Sequence, residues 1–595
     1  MSKKLISCLL ILSAAAALLL PSCSPSENPS DSQPGRGALT WTTWREYSDF
    51  LELAVRTYPD IELEFTGYTG ANRTAYGWAQ MRAGDLPDVF ITSHILDEEL
   101  AKESLVDLSA YDFVNDFSTA LLDQVSIDGG IYLLPVSNAM YGIYYNKTLM
   151  EEQGWEVPAT FAELESLCEA IQAEGMLPGI ADARLTGGPF SAVFNLAKTS
   201  WLTTPEGVNW ERDFLSGTAT AAGMWEDTMD YVQRYIDIGM FHTDPEDRRV
   251  STLIEEYLGG RKAMFCAASY TVSDTVIPGS SDELGMMPYI SEDGSKNIYM
   301  YSPSSYIGIS SRLAQPGNEK KLEEAIQLLS LLYSPEGQAT FISEDTPCVL
   351  SVLDRVSLPE DALIYDAHRA MSEGRAFPMT YTHWDNILTD IGQAFKDWFQ
   401  GAEGMDGPSC IARMDELQSG YLNNQEKVYF CESTADFTME ETARLVGKAL
   451  GSAAGADAAM IPYLSGPAKN FRLEAGVTGK LYQGKINTNL CTTISPSLDG
   501  AYAVLTMTGA QARELAAAGF DAAGDGAPYP YVLVTRGGGE LEDGETYQVA
   551  FLREGYSGEI GQAYHARVEE GSVQTFLRDW LTEQKTVSPD GNPWE

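Results

Sequence analysis

From Leu39 to about residue 400, apolar stretches of strand length alternate with amphipathic stretches of helix length, which restricts this 595-residue chain to layered α/β architecture. Ala38 to Trp44 reads as a strand and is followed by a helical stretch to about Tyr58. Ile61 to Phe65 alternates apolar and acidic residues, as a strand with one wet face does. Asp88 to Thr92 is a short apolar strand opened by Leu86-Pro87, and Ile131–Pro135 and Tyr141–Tyr145 read as two more. Thr160-Phe-Ala-Glu163 has the form of a capping box, and Leu164, Leu167, Cys168 and Ile171 share one face of the helix behind it. Leu322, Ala325, Ile326, Leu329 and Tyr333 repeat that spacing, and Ser334-Pro335-Glu336 stops one helix and starts the next.

A chain of this length is too long for one core. A polar stretch over residues 401–436 reads as a linker, and a second α/β region follows, assigned to 437–566. Its expected elements are a helix over 439–452, strands over 457–461 and 503–507, a helix over 509–518, and strands over 530–534 and 547–552. Residues 567–595 read as a tail with one short helix around Val573–Leu581 and a loose polar end. No internal repeat is legible.

The N-terminus constrains location. Lys3 and Lys4 precede an apolar run from Leu5 to Leu20, shorter than the roughly 20 residues that span a bilayer. Leu20-Pro-Ser-Cys23 ends this run and resembles a bacterial lipoprotein lipobox. The resemblance implies that residues 1–22 are a signal peptide and that Cys23 becomes a lipidated N-terminus. Residues 23–38 then form a flexible tether, and the protein is held outside the cell membrane by its lipid alone. With 39 Lys and Arg against 85 Asp and Glu, the net charge of −46 argues against a nucleic-acid partner, whose binding rests on phosphate neutralisation. Cys8, Cys168, Cys266, Cys348, Cys410, Cys431 and Cys491 form no Cys-x-x-Cys pair, and the five histidines have no ligand spacing, so neither a metal nor a cofactor is expected. Export permits disulfides, the spacings do not select pairs, and Cys168 reads as a buried thiol in a helical stripe.

Several segments over 39–400 appear in the order seen in the sugar-type (family 1) extracellular solute-binding lipoproteins of bacterial ABC importers, which this part of the chain resembles. They are Leu39–Trp44, Gly84–Phe90, Gly130–Pro135, Tyr144–Lys147 with Leu149, Pro158–Leu164, Gly260–Phe265 and Tyr333–Gln338. The resemblance implies a two-lobed, hinged periplasmic-binding-protein-like fold of type II, with the ligand between the lobes. Sugars present hydroxyl rims and apolar ring faces, so their sites combine aromatic platforms with groups that donate and accept hydrogen bonds. The chain has 11 Trp, 30 Tyr and 21 Phe. Ligands bind where the strands of open α/β sheets end. That rule selects Trp44, Arg45 and Tyr47 after the first strand, Tyr68 after the second, and Ser93 and His94 after Asp88–Thr92. Ser137 and Asn138 fall in a crossover, Pro135–Tyr141, expected to line the cleft. Tyr270 stands where the relatives commonly place a tryptophan against the sugar. Tyr306, Trp384 and Asp385 complete the candidates, with core packing the competing reading for the two aromatics.

Residues 437–556 resemble the C-terminal domain of 5′-nucleotidases, on Glu440–Leu450, Gly455–Ile461, Gly476-Val-Thr478, Leu505–Gln511 and Gly544–Ala550. The resemblance implies a nucleoside-holding domain without its catalytic partner, since the Asp-x-His and Gly-Asn-His-Glu runs of a two-metal phosphoesterase are missing. The substrate motifs depart as well. Pro462-Tyr-Leu-Ser follows Ile461 where the family has asparagine and glycines, and Thr488–Ser495 replaces its Pro-Phe pair. Gly537-Gly-Gly539 precedes acidic residues and reads as a turn rather than a phosphate cradle.

The expectation is therefore a monomeric, non-enzymatic binding protein that captures a carbohydrate, an oligosaccharide by preference, and delivers it to ABC permease subunits, with a non-catalytic C-terminal module. Two alternatives compete: a surface nucleotide-processing protein completed by a separate metallophosphoesterase, and an adhesion or sensory protein that reuses both folds.

Overall fold

The computed structural model describes residues 37–594 except 44–46, 69–72, 118–120, 123–124, 268–274, 344–348, 353–362, 379–383, 424–428, 466–475, 495–501, 522–525, 554 and 570–572. Cys23, Trp44, Arg45 and Tyr270 lie outside the described residues.

The first lobe is built on a seven-stranded sheet among the described residues. Its parallel part runs Val89–Thr92, Leu39–Thr43, Leu63–Gly67 from the inside to the edge. Helices Glu319–Leu332 and Pro335–Ser343 contribute Leu328, Leu329 and Phe341 to its core. A carboxylate locks the end of this sheet away from the second lobe. Asp88 accepts from the Thr40 amide at 3.0 Å, Arg312 Nη2 at 2.7 Å and Lys321 Nζ at 3.2 Å. Burial alone would push the Asp88 carboxyl up, but the Thr40 amide, Arg312 and Lys321 together hold it below the ordinary 3.8. A depressed carboxylate stabilises the fold above the unfolded-state value, and that contribution is lost as pH falls through the folded-state value. Asp88→Asn is thus expected to cost about 2 kcal/mol at pH 7. In urea melts the gap from wild type should close as pH is lowered below 3.8. A gap that stays constant down to pH 2 would refute this assignment.

The second lobe holds a five-stranded sheet in the order Leu284–Met287, Ile143–Asn146, Ala263–Ala267, Leu177–Ala181, His242–Thr243. Helices Phe161–Ala173, Gly187–Ala197, Glu226–Asp237 and Asp385–Phe399 enclose its main core. Thr160 caps the first of these by accepting from the Glu163 amide. The Glu163 carboxylate reaches the Ala159 amide instead of closing the box on Thr160. Cys168 lies in this core, and burial pushes its thiol up to about 12.

Two long strands join the lobes. Leu134–Tyr141 and Tyr299–Ile309 pair antiparallel along their length. Leu134, Val136, Ile307 and Ile309 enter the first core, whereas Met140 and Tyr299 enter a core of the second lobe. The sequence predicts strands at Ile131–Pro135 and Tyr141–Tyr145 with a crossover between them. The structure makes the crossover itself a strand, because Tyr299–Ile309 on one side and Val349–Ser351 on the other satisfy its backbone.

The stretch read as a linker contains the helix Gly407–Asn423, which packs on the second lobe. Asp415 accepts from the Ala221 and Ala222 amides, and Gln418 Nε2 donates to the Phe214 and Ala219 carbonyls. Beyond it lies a separate module. A five-stranded sheet is ordered Tyr531–Thr535, Ala458–Pro462, Thr546–Leu552, Tyr502–Thr508, Arg567–Glu569, with the helix Met439–Ala454 against it. The tail is not loose. Helix Val573–Gln584 supplies Leu577, Trp580 and Leu581 to the module core, and Trp594 packs beside Gly451, where a Cβ would overlap the indole. Among the described residues, no helix is long and apolar enough to cross a membrane.

Candidate functional site

The pairing registers fix which strand ends look into the space between the lobes. Thr92, the last residue of its strand, pairs with Tyr306, and from there the crossing strand runs back through Ser305 towards Tyr299 and the second lobe. The C-terminal ends of the first lobe's parallel strands, at Thr43, Gly67 and Thr92, therefore face the second lobe. In the second lobe, Ala181 and Ala267 end two parallel strands side by side, and Ala267 pairs with Ile143, next to the crossing strand's end at Tyr141. Both sets of strand ends thus meet across the two crossing strands, and the floor of the cleft is their shared middle.

That floor is polar. Ser137 and Asn138 sit at the centre of one strand, opposite Ser305 and Pro303 of the other, and are fully buried. The Ser137 and Ser304 hydroxyls hydrogen-bond to each other. Asn138 is 1% exposed, and its Oδ1 finds no hydrogen-bond partner among the described residues. Such an acceptor costs about 1–3 kcal/mol unless something supplies a donor. On the first lobe, Trp78 Nε1 donates to Thr92 Oγ1 and to the His94 carbonyl, which fixes the turn after the strand. Arg73 Nε donates to Ser93 Oγ at 3.2 Å. Tyr306 stands on the crossing strand opposite Thr92, and burial pushes its phenol up to about 12. It is therefore a neutral donor at any physiological pH.

Of the sequence candidates, Ser93 and His94 follow the strand end at Thr92, Asn138 lies at the middle of a crossing strand, and Tyr306 pairs with Thr92 while its half-buried ring packs against the cores of the first lobe. Three others are committed elsewhere. Tyr47 is a core residue, stacked on Phe341 with ring centroids 4.0 Å apart and parallel to Trp41. Tyr68 does sit at a strand end, but its ring stacks on Tyr76 at 4.4 Å and its hydroxyl donates to the Thr493 carbonyl of the C-terminal module at 2.9 Å. Trp384 lies wholly inside the second lobe, against Phe194 and Phe214, and donates to Glu211 Oε1 at 2.8 Å. In each case a neighbour distant in sequence claims the aromatic face. Asp385 begins the helix that follows Trp384.

Asp182 and Arg73 are not among the residues that strand ends in the sequence select. Asp182 follows Leu177–Ala181 at the cleft end of its strand, is 3% exposed, and donates its amide to the Ala267 carbonyl. The strand-end rule that selected Ser93 would have selected it too, had Leu177–Ala181 been read as a strand. No sequence signal marks Arg73. Among the described residues, no group of three or more His, Cys, Asp or Glu could hold a metal ion.

Residues 56–368, more than half of the chain, match the family model described as bacterial extracellular solute-binding protein. The maltodextrin-binding protein MdxE of Bacillus subtilis is 27% identical over 157 residues, which are 26% of this chain and 36% of that protein. The melibiose/raffinose/stachyose-binding protein MelE of Bacillus subtilis is 25% identical over 211 residues, 34% of this chain and 49% of its own length. The matches thus span about a third to a half of these relatives. In three dimensions the apo form of RafE from Streptococcus pneumoniae superposes with a TM-score of 0.52 at 19% identity, covering 65% of this chain and 98% of that one, a likeness of fold. This coverage leaves the extra C-terminal α/β region without a counterpart there.

Proposed function

The chain belongs to the bacterial extracellular solute-binding proteins, and on that premise we propose that it captures an oligosaccharide between its lobes and delivers it to an ABC importer. In this reading Cys23 carries the lipid that holds the protein at the outer face of the cell membrane, closure about the crossing strands traps the sugar, and the C-terminal module is not catalytic. The observation that carries the reading is Asn138 Oδ1, a buried acceptor without a described partner, on the floor between two facing sets of strand ends. A sugar hydroxyl is the donor that would complete it. Ser93, His94 and Tyr306 supply further groups able to donate and accept. The substrates named for MdxE and MelE support the same class of ligand.

Calorimetric titration with raffinose and with maltotriose tests the proposal. Ligand at about 100 times Kd should raise unfolding stability by about 2.7 kcal/mol. Asn138→Leu, which removes the acceptor but keeps the volume, should weaken binding about tenfold, ~1.4 kcal/mol, without lowering the Tm of the ligand-free protein. No heat with any glycan, or heat with adenosine alone, would overturn the reading.

A further inference from the structure

The C-terminal module does not hang free of the cleft. It is seated on the first lobe at the edge strand Leu63–Gly67, where Tyr68 emerges towards the second lobe. Tyr68 and Tyr76 are each 4% exposed, stacked on each other, and covered from the module side. Gly479 approaches so closely that a Cβ there would lie 2.8 Å from the Tyr68 ring and 3.2 Å from the Tyr76 ring. Lys480 Nζ and the Tyr482 hydroxyl both reach Asp85 Oδ2 at 2.7 Å, and helix Thr488–Thr493 lies against helix Arg73–Ala83. Stacked rings, an ion pair, a tyrosine hydrogen bond and a close glycine contact are the marks of a fixed seat rather than a passing touch.

The seat is one step from the sugar site. Arg73 contacts both Ser93 and a small hollow shared with Thr43, Tyr68 and Tyr76, so one short row of side chains runs from the strand end at Ser93 to the module. The strand order places Leu63–Gly67 outermost, with Leu39–Thr43 and Val89–Thr92 between it and the crossing strands. A ligand lying across the strand ends from the crossing strands outward meets Thr92 first, Thr43 next, and the module last. The module is also joined to the other lobe, because its chain leaves helix Gly407–Asn423, packed there, and the six peptide steps to Tyr429 span at most roughly 22 Å.

We propose that the C-terminal module is the end wall of the cleft: seated on Tyr68 and Tyr76, it limits how long an oligosaccharide the protein accepts. The proposal rests on the carbohydrate reading above and adds to it the element that sets ligand length. Residues of the first lobe that would otherwise offer a stacking face to an outer sugar unit are spent on holding the wall.

Two variants lift the wall by different means. Gly479→Leu drives a side chain into the Tyr68 and Tyr76 rings, and Lys480→Glu sets a carboxylate against Asp85. Hydrogen exchange in helix Arg73–Ala83 should rise in both, and Asp85→Lys added to Lys480→Glu should restore protection. Calorimetry with maltotriose and maltohexaose then reads ligand length. The full-length wild-type protein is expected to bind the trisaccharide at least tenfold more tightly than the hexasaccharide. The two released variants should narrow that ratio to within threefold by gaining affinity for the longer chain, and the restored pair should recover it. An unchanged ratio in released variants, or exchange that does not rise, overturns the wall while leaving the carbohydrate reading intact. If neither glycan binds wild type or variants, the carbohydrate reading fails and the wall falls with it.

Discussion

Lys198→Met is expected to destabilise the second lobe by about 3–5 kcal/mol, a large share of the stability of any single domain. The Lys198 ammonium side chain is 1% exposed and lies 2.9 Å from Glu211 Oε2, whose own side chain is 8% exposed. The ammonium also sits 5.5 Å over the Phe377 ring. Removing the cation takes the Lys198 charge away from the buried Glu211 carboxylate, which also accepts from the Trp384 indole N–H. The desolvation of that charge is what the variant exposes, so the loss should exceed the net worth of the pair. Lys198→Met combined with Glu211→Leu removes both charges and should recover most of the stability. Thermal and urea unfolding of the three proteins check this. A single variant within 1 kcal/mol of wild type would show that water reaches Glu211 in solution.

Trp384→Ala is the second large effect, again about 3–5 kcal/mol. The indole is fully buried and its ring packs on Phe194 at 4.7 Å, Phe214 at 5.1 Å and Phe190 at 5.9 Å. Truncation opens a cavity among rings anchored in the helices Gly187–Ala197 and Pro205–Leu215, which cannot close over it without moving the helices. It also takes the indole donor from Glu211, so its cost and that of Lys198→Met should not add. The diagnostic is the separation of stability from affinity. Well below the transition, the Kd for raffinose should match wild type, because Trp384 faces its own core. A loss of affinity at unchanged Tm would return Trp384 to the cleft.

These two residues show where the sequence was legible and where it was not. Strand positions were readable because their signals are local: Leu39–Thr43 and Val89–Thr92 lie within one residue of the expected strands, and Leu63–Gly67 is shifted by two. The Thr160 cap was readable for the same reason. The strand-end rule selects Ser93 and His94 because they follow the strand that ends at Thr92, whereas Asn138 is selected by its place in the segment that crosses between the lobes. Lys198 passed unnoticed, since nothing local to Lys198-Thr-Ser-Trp201 announces a partner thirteen residues on in another helix. The boundary at 401–436 was misread because a polar helix such as Gly407–Asn423 carries its apolar contacts on few residues, among them Cys410, Ile411 and Met414. The tail looked loose because Trp580 and Trp594 have no partner within their own segment. Their partners are in helix Met439–Ala454.

What the amino-acid sequence settles alone is the alternation of strands and helices, the need for more than one core, the acidic balance of charge, and the positions that follow its most regular strands. Each follows from residue spacing and charge, which act over a few residues. What only the tertiary structure decides is the fate of an aromatic ring once it has reached a strand end. Tyr68 follows one and is sealed by a backbone carbonyl 425 residues away, while Tyr306, inside the crossing strand and opposite Thr92, packs its ring against the cores of the first lobe. A ring offers the same flat apolar face to a sugar, a core or a neighbouring domain. Which of these covers it depends on what the folded chain brings within about 4 Å, and that distance is set by packing.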